Sequence, residues 1–441
     1  MANRVLLRVL AASILSGEPI AEEIFGRCSR TLGRRWPWLR PLARRYVKAF
    51  AGRVQPRRRE VVRFLREDRG FERAWSKYSS ELSVQQWVAA PLRMQPVAAA
   101  LRWDVPAIES VGALAAWLAL SVSELEWFAD LKALGYKNGA EKLRHYHYRV
   151  LAKNFASVRL IEAPKPRLKG IQKRILTGIL EKIPAHLKAH GFVKGRSIKS
   201  FVAPHVGRRV VLRMDLQDFF PSIPGVRIQA LFRTIGYPEP VADLLGGLSS
   251  NQTPRDVWAT ASVEVERSQL REAVELYSRP HLPQGAPTSP ALANACAYRV
   301  DCRLFGLAKS AGAEYTRYAD DLAFSGGEAF EKRAERFSTH VAAILLEEGF
   351  RVHHRKTRIM RQGVRQHLAG IVANERLNVM RSDFDRLKAI LTNCARLGPA
   401  TQNRKGHRQF RMHLEGRVRF VETINSGKGE RLRAIYEQIR W

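Results

Sequence analysis

Residues 315–325 read Tyr-Thr-Arg-Tyr-Ala-Asp-Asp-Leu-Ala-Phe-Ser, with two adjacent carboxylates, Asp320 and Asp321, between two short apolar and aromatic runs. Aspartate is common in turns and the flanking residues favour strands, so this segment predicts a β-hairpin with its acids at the tip. Two neighbouring negative charges repel each other and need a compensating cation. The alternative interpretation is a solvated surface turn, because aspartate often lies in turns.

A further carboxylate follows a predicted buried strand. Residues 210–221 read Val-Val-Leu-Arg-Met-Asp-Leu-Gln-Asp-Phe-Phe-Pro, and the apolar run places Asp215 where the strand emerges. A carboxylate at such a position has to be paired or bound to metal. If Asp215, Asp320 and Asp321 converge, they can hold two Mg²⁺ ions about 3.5–4 Å apart, which is the arrangement for in-line phosphoryl transfer to a nucleotide.

Composition favours a nucleic-acid partner. The 441 residues include 75 Lys and Arg against 41 Asp and Glu, for a net charge of +34, and 45% are hydrophobic. A globular chain of this length holds two or three domains, and so strong a positive field indicates a polyanionic partner. An anionic membrane is the rival partner, but no apolar run approaches the roughly 18 residues that a membrane span requires.

The cysteines and the N-terminus favour the cytoplasm. Cys28, Cys296, Cys302 and Cys394 show neither metal-ligand spacing nor a disulfide framework, which indicates a reducing interior. The first residues faintly resemble a signal peptide, but Arg8 interrupts their apolar core. We therefore expect a short amphipathic helix there and a cytoplasmic protein without a membrane anchor.

Two loops have both a functional and a structural interpretation. The glycine-bracketed basic loop over 190–197 can bring backbone N–H groups close to a phosphate chain, or it is a tight turn. The Pro/Gly loop over 281–290 leads into a helix of small residues that can pack against a base pair, or it is an ordinary helix entry.

Apolar spacing predicts several further elements. Ser121 and Glu124 form the capping box of one helix. The other predictions are paired strands over 146–161 with their turn at Lys153-Asn154, a long helix introduced by the segment 164–168 and broken or kinked at Pro184, one helix over 329–349, one strand over 366–374, and helices over 384–397 and 410–423.

Taken in order, three motifs resemble the palm motifs of reverse transcriptases. They are Asp215-Leu-Gln-Asp-Phe-Phe220, Leu282-Pro-Gln-Gly-Ala-Pro-Thr-Ser-Pro290 and Tyr318-Ala-Asp-Asp321. The segments 159–169, 191–198 and 349–357 resemble the flanking motifs of bacterial retron reverse transcriptases. The resemblance covers roughly residues 105–441 and leaves residues 1–95 unmatched.

The resemblance implies an α+β right-hand polymerase fold with fingers, a palm built on an antiparallel sheet, and a helical thumb. The implied domains are a basic helical N-terminal extension over 1–95, fingers with a helical entry region over 96–209, a palm over 210–374 with an inserted helical segment at about 225–280, and a thumb over 375–441.

Site residues are implied by position in the motifs. Asp215, Asp320 and Asp321 would bind two Mg²⁺ ions. Phe220 would be the steric gate whose ring fills the space of a ribonucleotide 2′-OH, and Lys356 is a candidate general acid for the leaving pyrophosphate.

The remaining implied residues contact nucleotides. Gln284 and Gly285 would line the nucleotide pocket, while Lys153 and Arg159 would hold the triphosphate, which suits an ammonium and a guanidinium. Primer and template would be contacted by Tyr318, beneath the primer end, and by Arg196 of the basic loop.

Two departures bear on the retron resemblance. Retron enzymes share an Asn-Ala-x-x-His motif, of which Phe201-Val-Ala-Pro-His205 keeps only the histidine in register, and their Val-Thr-Gly signature is Leu368-Ala-Gly370 here. The alternatives are a group II intron-like or abortive-infection reverse transcriptase, and a catalytically inactive RNA-binding scaffold.

The retron resemblance also implies partners. The template would be a structured noncoding RNA, copied with dNTPs into single-stranded DNA and primed from an RNA 2′-OH, which leaves a branched RNA–DNA product. The implied role is antiphage defence with a separately encoded effector protein. The thumb arginines and the N-terminal basic helices are candidates for contacting the RNA.

Overall fold

The computed structural model describes residues 4–52, 56–88, 93–137, 141–152, 158–259 and 267–441. In this part of the chain, the α-helices are α1 (Arg4–Leu15), α2 (Ala21–Thr31), α3 (Leu39–Ala49), α4 (Arg58–Glu67), α5 (Arg69–Tyr78), α6 (Val111–Leu118), α7 (Val122–Ala129), α8 (Leu134–Lys137), α9 (Pro166–Gly178), α10 (Ile198–Val202), α11 (Gly225–Ile235), α12 (Glu239–Ser249), α13 (Asp256–Ala259), α14 (Arg267–Tyr277), α15 (Ser289–Ser310), α16 (Glu328–Glu331), α17 (Ala334–Glu347), α18 (Arg381–Leu397), α19 (Phe410–Ile424) and α20 (Ser426–Glu437).

The strands are all antiparallel where they pair in sheets, so helix and sheet together make an α+β protein. They are β1 (Tyr146–Ala152), β2 (Val158–Pro164), β3 (Val210–Asp215), β4 (Glu314–Tyr318), β5 (Asp321–Gly326), β6 (Arg358–Arg361), β7 (His367–Leu368), β8 (Ile371–Val372) and β9 (Asn378–Val379). The chain divides into two compact units, the first comprising Met1–Ile183 with Pro224–Ser289 and the second Pro184–Ile223 with Pro290–Trp441.

The first unit contains an N-terminal helical core and a two-stranded hairpin. Apolar side chains of α1–α5, such as Leu10, Leu42 and Leu65, belong to one hydrophobic cluster that runs from Leu6 to Leu82. The strands β1 and β2 pair over seven residues each, and alternate side chains of β2 are buried, as expected for a strand with one face on a core. The expected short helix at the N-terminus is confirmed as α1.

The second unit is built on a four-stranded sheet in the order β4-β5-β3-β6. The apolar run Val210–Leu212 is completely buried, because β3 lies between two other strands of this sheet. A second core cluster joins the sheet to α18, α19 and α20 through residues such as Leu391, Val418 and Leu432. The strand predicted to end at Asp215 is therefore confirmed as the central element of this unit.

Three sequence predictions about elements are wrong in detail. The helix expected to reach Pro184 ends at Gly178, where a Cβ would lie 2.5 Å from the Trp117 ring. The single strand expected over 366–374 is instead a tight hairpin of β7 and β8. Ala369 and Gly370 both adopt positive φ, +46° and +84°, which is the requirement of a two-residue hairpin turn.

The single helix predicted over 329–349 is interrupted between α16 and α17. A continuous helix would separate Phe330 from Phe337 by about 10 Å along its axis, since each residue adds about 1.5 Å. The break allows the two rings to approach edge-on with their centroids 5.0 Å apart, and both rings are buried. Packing of these aromatic rings therefore outweighs local helix propensity here.

Membrane-spanning helices were also sought in the described residues. No single helix there is long and apolar enough to cross a bilayer; only α6 and α7 taken together satisfy the same test of length and composition, across an 89° bend.

Candidate active site

The hairpin predicted from residues 315–325 is confirmed, with Ala319 and Asp320 in the turn between β4 and β5. The central strand β3 pairs with β5 in a register that sets Asp215 directly opposite Asp321. The backbone N–H of Leu216 donates a hydrogen bond to the carbonyl of Asp320 (2.9 Å). Sheet pairing therefore brings the three predicted carboxylates to one end of the central strands.

Burial and mutual repulsion act on these acids. The pKa of Asp320 is raised by burial and, beyond that, by the negative charges of Asp215 and Asp321. Burial also raises the pKa of Asp321, although the Arg213 guanidinium partly opposes the effect. Both shifts indicate carboxylates that are costly to ionise without a neighbouring cation.

Two basic side chains lie against the same carboxylates. Lys356 Nζ donates a hydrogen bond to Oδ1 of Asp215 (2.9 Å). Arg213, on β3, donates from Nε (3.0 Å) and Nη2 (2.7 Å) to Oδ1 of Asp321. With these two carboxylates directed at cations, no group of three or more His, Cys, Asp or Glu side chains in the described residues is arranged to hold a metal ion.

The donor chemistry nevertheless fits a divalent metal ion. The acids supply only oxygen ligands, which hard cations such as Mg²⁺ prefer. They are also close enough for Asp215 and Asp321 to raise the pKa of Asp320, and a bound cation would relieve that repulsion. Asp215, Asp320 and Asp321 are thus the residues that would hold the metal.

A buried network supports the turn that carries Asp320. Arg317 and Asp301 are completely buried and form two hydrogen bonds, from Nε to Oδ1 (2.7 Å) and from Nη2 to Oδ2 (2.6 Å). Arg317 Nη1 also donates to the carbonyl of Ala319 (3.1 Å) and to Oδ1 of Asn294 (3.0 Å). This network ties the turn to the long helix α15, on which Asp301 and Asn294 lie.

The turn is also confined on its other side. Ala319 has φ +55°, an uncommon conformation for a residue with a Cβ. A Cβ at position 191 would lie 2.5 Å from the backbone nitrogen of Ala319, so only glycine fits there, and the Gly191 carbonyl accepts a hydrogen bond from Asn294 Nδ2 (2.9 Å). Gly191 of the basic loop therefore packs directly against the backbone of the turn.

Sequence reasoning missed the supporting residues. Arg317 stands inside the hairpin segment, but its partners come from α15, and no spacing pattern connects the two. Arg213 interrupts the apolar run of the strand before Asp215, and a charge at that position was a usable signal. His205, noted only as a remaining motif residue, is buried between Ser325 Oγ (2.7 Å) and Thr316 Oγ1 (2.7 Å). Burial lowers the pKa of His205 to about 3, so it is a neutral link between the segment before β3 and the hairpin.

The other predicted residues of the second unit have the following positions. Phe220 is half-buried and lies two residues after Asp218, which has φ +47°. The centroid of the Phe220 ring lies 5.6 Å from that of Phe219 and 6.1 Å from that of Phe192. Tyr318 is half-buried against Phe201 (5.7 Å between centroids). Arg196 is exposed, and its Nη1 donates to the Leu187 carbonyl (2.6 Å).

Three of the predicted nucleotide-binding residues, Arg159, Gln284 and Gly285, lie in the first unit. Arg159 is exposed on β2, and Gln284 is half-buried, with its carbonyl accepting a hydrogen bond from the Glu162 N–H (2.8 Å). Gly285 has φ +135°, and a Cβ there would lie 2.8 Å from the Glu162 carbonyl oxygen. Lys153 lies outside the described residues. The carboxylates and Lys356 belong to the second unit.

The loop with Gln284 and Gly285 rests on a buried ion pair. Glu162 Oε2 and His281 Nε2 are 2.9 Å apart, and both side chains are inaccessible to solvent. Glu162 Oε1 accepts further hydrogen bonds from Asn251 Nδ2 (2.7 Å) and Thr253 Oγ1 (2.8 Å). The carboxylate is therefore fully hydrogen-bonded, as a buried charge must be.

The chain is similar to known proteins over much of its length. Residues 151–382 match the family model described as reverse transcriptase (RNA-dependent DNA polymerase). The chain is 40% identical over 335 residues to Retron Mx65 reverse transcriptase of Myxococcus xanthus, covering 75% of this chain and 72% of that relative. It is 37% identical over 336 residues to Retron Mx162 reverse transcriptase of the same organism, and the match covers 73% of this chain and 65% of that relative. It is 27% identical over 276 residues to Retron Ec86 reverse transcriptase of Escherichia coli, and the match covers 62% of this chain and 74% of that relative.

Proposed function

Since the chain belongs to the retron-type reverse transcriptases and is an RNA-directed DNA polymerase, we propose that it copies a structured noncoding RNA into single-stranded DNA with Asp215, Asp320 and Asp321 as the ligands of two Mg²⁺ ions. The observation that carries this proposal is the β3–β5 register, in which Asp215 and Asp321 are direct partners and Asp320 lies in the adjoining turn. Any other register would move one acid away from the other two.

Bound divalent metal ions supply charge stabilisation at the reacting phosphate and lower the pKa of an attacking hydroxyl. The side chains of this protein position the reactants. Phe220 excludes the 2′-OH of a ribonucleotide, and Lys356 gives a proton from Nζ to the leaving pyrophosphate. The support for this role is the position of Lys356, whose Nζ lies 2.9 Å from the carboxylate of Asp215.

The remaining assignments follow the family resemblance. Arg159 and Lys153 hold the triphosphate, Gln284 and Gly285 line the nucleotide pocket, and Tyr318 with Arg196 contacts primer and template. Fingers over 96–209, a palm over 210–374 and a thumb over 375–441 complete the right hand, after the N-terminal extension over 1–95. Synthesis is primed by an RNA 2′-OH in the cytoplasm, and the branched product serves antiphage defence with an effector protein.

A primer-extension assay with a charge-neutral variant tests the proposed ligands. Purified protein with Mg²⁺, dNTPs and a DNA-primed RNA template makes DNA, and Asp320→Asn with Asp321→Asn abolishes it. The matched control is Asp383→Asn, an exposed carboxylate in the first turn of α18, which retains the parent rate. Equal activity of the double variant and the parent would refute the ligand assignment, whereas an inactive parent would favour the scaffold alternative.

The priming mode needs a separate experiment. Nucleic acid that co-purifies with the protein is treated with ribonuclease, with deoxyribonuclease or with neither, and is resolved on a denaturing gel. A branched RNA–DNA molecule shifts after either treatment and retains a 2′–5′ linkage detectable by mass spectrometry. Co-purifying DNA with a free 5′ end and no attached ribonucleotide would contradict 2′-OH priming.

A further inference from the structure

The five N-terminal helices form a module with a hydrophobic core of their own. All buried members of that core lie between Leu6 and Leu82, and they come from α1 to α5 and the segments that join or follow them. The match to the reverse transcriptase family model begins only at residue 151. The module is therefore additional to the matched polymerase region.

Asp68 connects α4 to α5 and is hydrogen-bonded to both α5 and α3. This residue is the only one between the two helices, and its Oδ1 caps α5 by accepting a hydrogen bond from the Phe71 N–H (2.6 Å). Arg45 of α3 donates to both oxygens of the same carboxylate, from Nε (2.6 Å) and Nη2 (2.8 Å). Asp68 is buried, and its carboxylate links α5 to α3 where α4 ends.

Each of these helices presents a line of basic side chains to solvent. On α4 and α5 the buried side chains are Val61, Leu65, Phe71 and Ala74. Spacings of three or four residues place the exposed cations on the opposite side of each helix. We call them the basic face: Arg59, Arg63, Arg66, Arg69, Arg73 and Lys77.

The basic face differs in its partners from four arginines of the same module. Arg27, Arg34, Arg40 and Arg45 each pair with a carboxylate. Within the described ranges, no ion pair joins any residue of the basic face to an acid. Like charges at three- and four-residue spacing repel each other, so a polyanion that contacts several of them would stabilise this surface.

We propose that the basic face binds the phosphate backbone of the RNA template, as a contact additional to the polymerase site. Five of its six cations are arginines, whose planar guanidinium groups bind phosphate oxygens in a bidentate manner. The proposal rests on the proposed function, because a structured RNA is the long polyanion that this polymerase copies. Such a contact recognises the charge and spacing of the phosphates and does not depend on the base sequence of the RNA.

The test uses full-length protein and two variants with equal loss of charge. The face variant carries Arg63→Gln, Arg66→Gln and Arg73→Gln, and the control carries Arg34→Gln, Arg40→Gln and Lys48→Gln on the same module. Glutamine has a helix propensity close to that of arginine, so both variants should fold, which circular dichroism verifies. Binding is measured against a stem-loop RNA, a duplex DNA of the same length and phosphatidylserine vesicles over a range of salt concentrations.

The face variant should lose RNA affinity by about tenfold or more at low salt. The slope of log K against log salt should become less steep by about 0.9 for each phosphate contact removed. The control should keep both values. An unchanged slope in the face variant, an equal loss in the control, or a larger loss of DNA or vesicle binding than of RNA binding would each overturn the proposal.

Polymerase activity separates this proposal from the proposed function. On a short primed RNA, which occupies only the polymerase site, the face variant should extend primers at the parent rate. If the parent itself extends no primer, the proposed function fails whatever the RNA affinities are. If the parent is active and the face variant binds the stem-loop RNA as the parent does, only the basic face is refuted.

Discussion

Arg317 and Asp301 form a completely buried ion pair, with Nη2 2.6 Å from Oδ2, directly beside the turn that carries Asp320. The remaining guanidinium nitrogen, Nη1, donates to the Ala319 carbonyl. One arginine therefore links a helix, its own strand and the positive-φ residue of the turn. Buried pairs of this kind are costly to break, since a lone buried charge is left behind.

Replacement of Arg317 should damage activity more than charge loss alone explains. In Arg317→Lys the positive charge remains, but an ammonium cannot contact both oxygens of Asp301 and the Ala319 carbonyl in the same planar geometry. We expect kcat to fall by at least about tenfold, and the Mg²⁺ concentration for half-maximal activity to rise, because the turn and its carboxylates are displaced. Primer extension over a Mg²⁺ titration measures both quantities.

Tyr315→Phe is the matched control for this prediction. It removes only the hydroxyl that donates to Oδ1 of Asp301 (2.7 Å), so the free energy of unfolding should fall by about 1.5–3 kcal/mol. The Mg²⁺ dependence should stay as in the parent. If Arg317→Lys behaves like Tyr315→Phe, Arg317 stabilises the fold without positioning the carboxylates.

A second prediction concerns the pH dependence that Lys356 imposes. The positive charge of Lys356 lowers the pKa of both Asp320 and Asp321, so its removal should raise both pKa values. Activity that needs ionised carboxylates is then lost at a higher pH, and the acid limb of kcat/KM should move to higher pH in Lys356→Gln. Steady-state primer extension across the pH range shows this shift.

Lys356→Arg separates the electrostatic role of Lys356 from proton donation. The guanidinium keeps the charge, so the acid limb should stay where it is in the parent. A guanidinium is a poor proton donor, however, and a general-acid role predicts a fall in kcat of roughly 10²- to 10⁴-fold in both variants. Full activity of Lys356→Arg would disprove proton donation by Lys356, and an unmoved acid limb in Lys356→Gln would disprove the electrostatic role.

A third prediction tests Phe220 as the steric gate. Phe220→Ala should reduce discrimination between a dNTP and the matching rNTP by roughly 10- to 200-fold, the range typical of a small group admitted to or excluded from a pocket. Phe220→Tyr keeps the ring and should keep the discrimination. Single-nucleotide incorporation gives kcat/KM for both substrates, and an unchanged ratio in Phe220→Ala would rule out the gate.

The sequence predicted local features better than the contacts that hold them. The hairpin at residues 315–325 followed from strand-favouring residues around a turn, and the strand before Asp215 followed from a continuous apolar run; both are properties of neighbouring residues. The link from Arg317 to Asp301 and Asn294 depends on how α15 packs, and no periodicity within either segment encodes it. The break between α16 and α17 likewise follows from contact of Phe330 with Phe337, which opposes local helix propensity.

The last prediction concerns the buried pair beneath the Gln284 loop. Burial disfavours the charged imidazole, but Glu162 more than offsets this and raises the pKa of His281 above its ordinary 6.5; His281 in turn brings the pKa of Glu162 below 4.5 despite burial. The stabilisation from His281 is lost as pH rises through its raised pKa, and that from Glu162 as pH falls through its lowered pKa.

Exchange protection of the Glu162 amide should therefore be greatest between pH 4.5 and 6.5. His281→Gln should abolish this maximum, whereas exposed His147→Gln should preserve it; a maximum that survives His281→Gln would show that the pair does not control the loop.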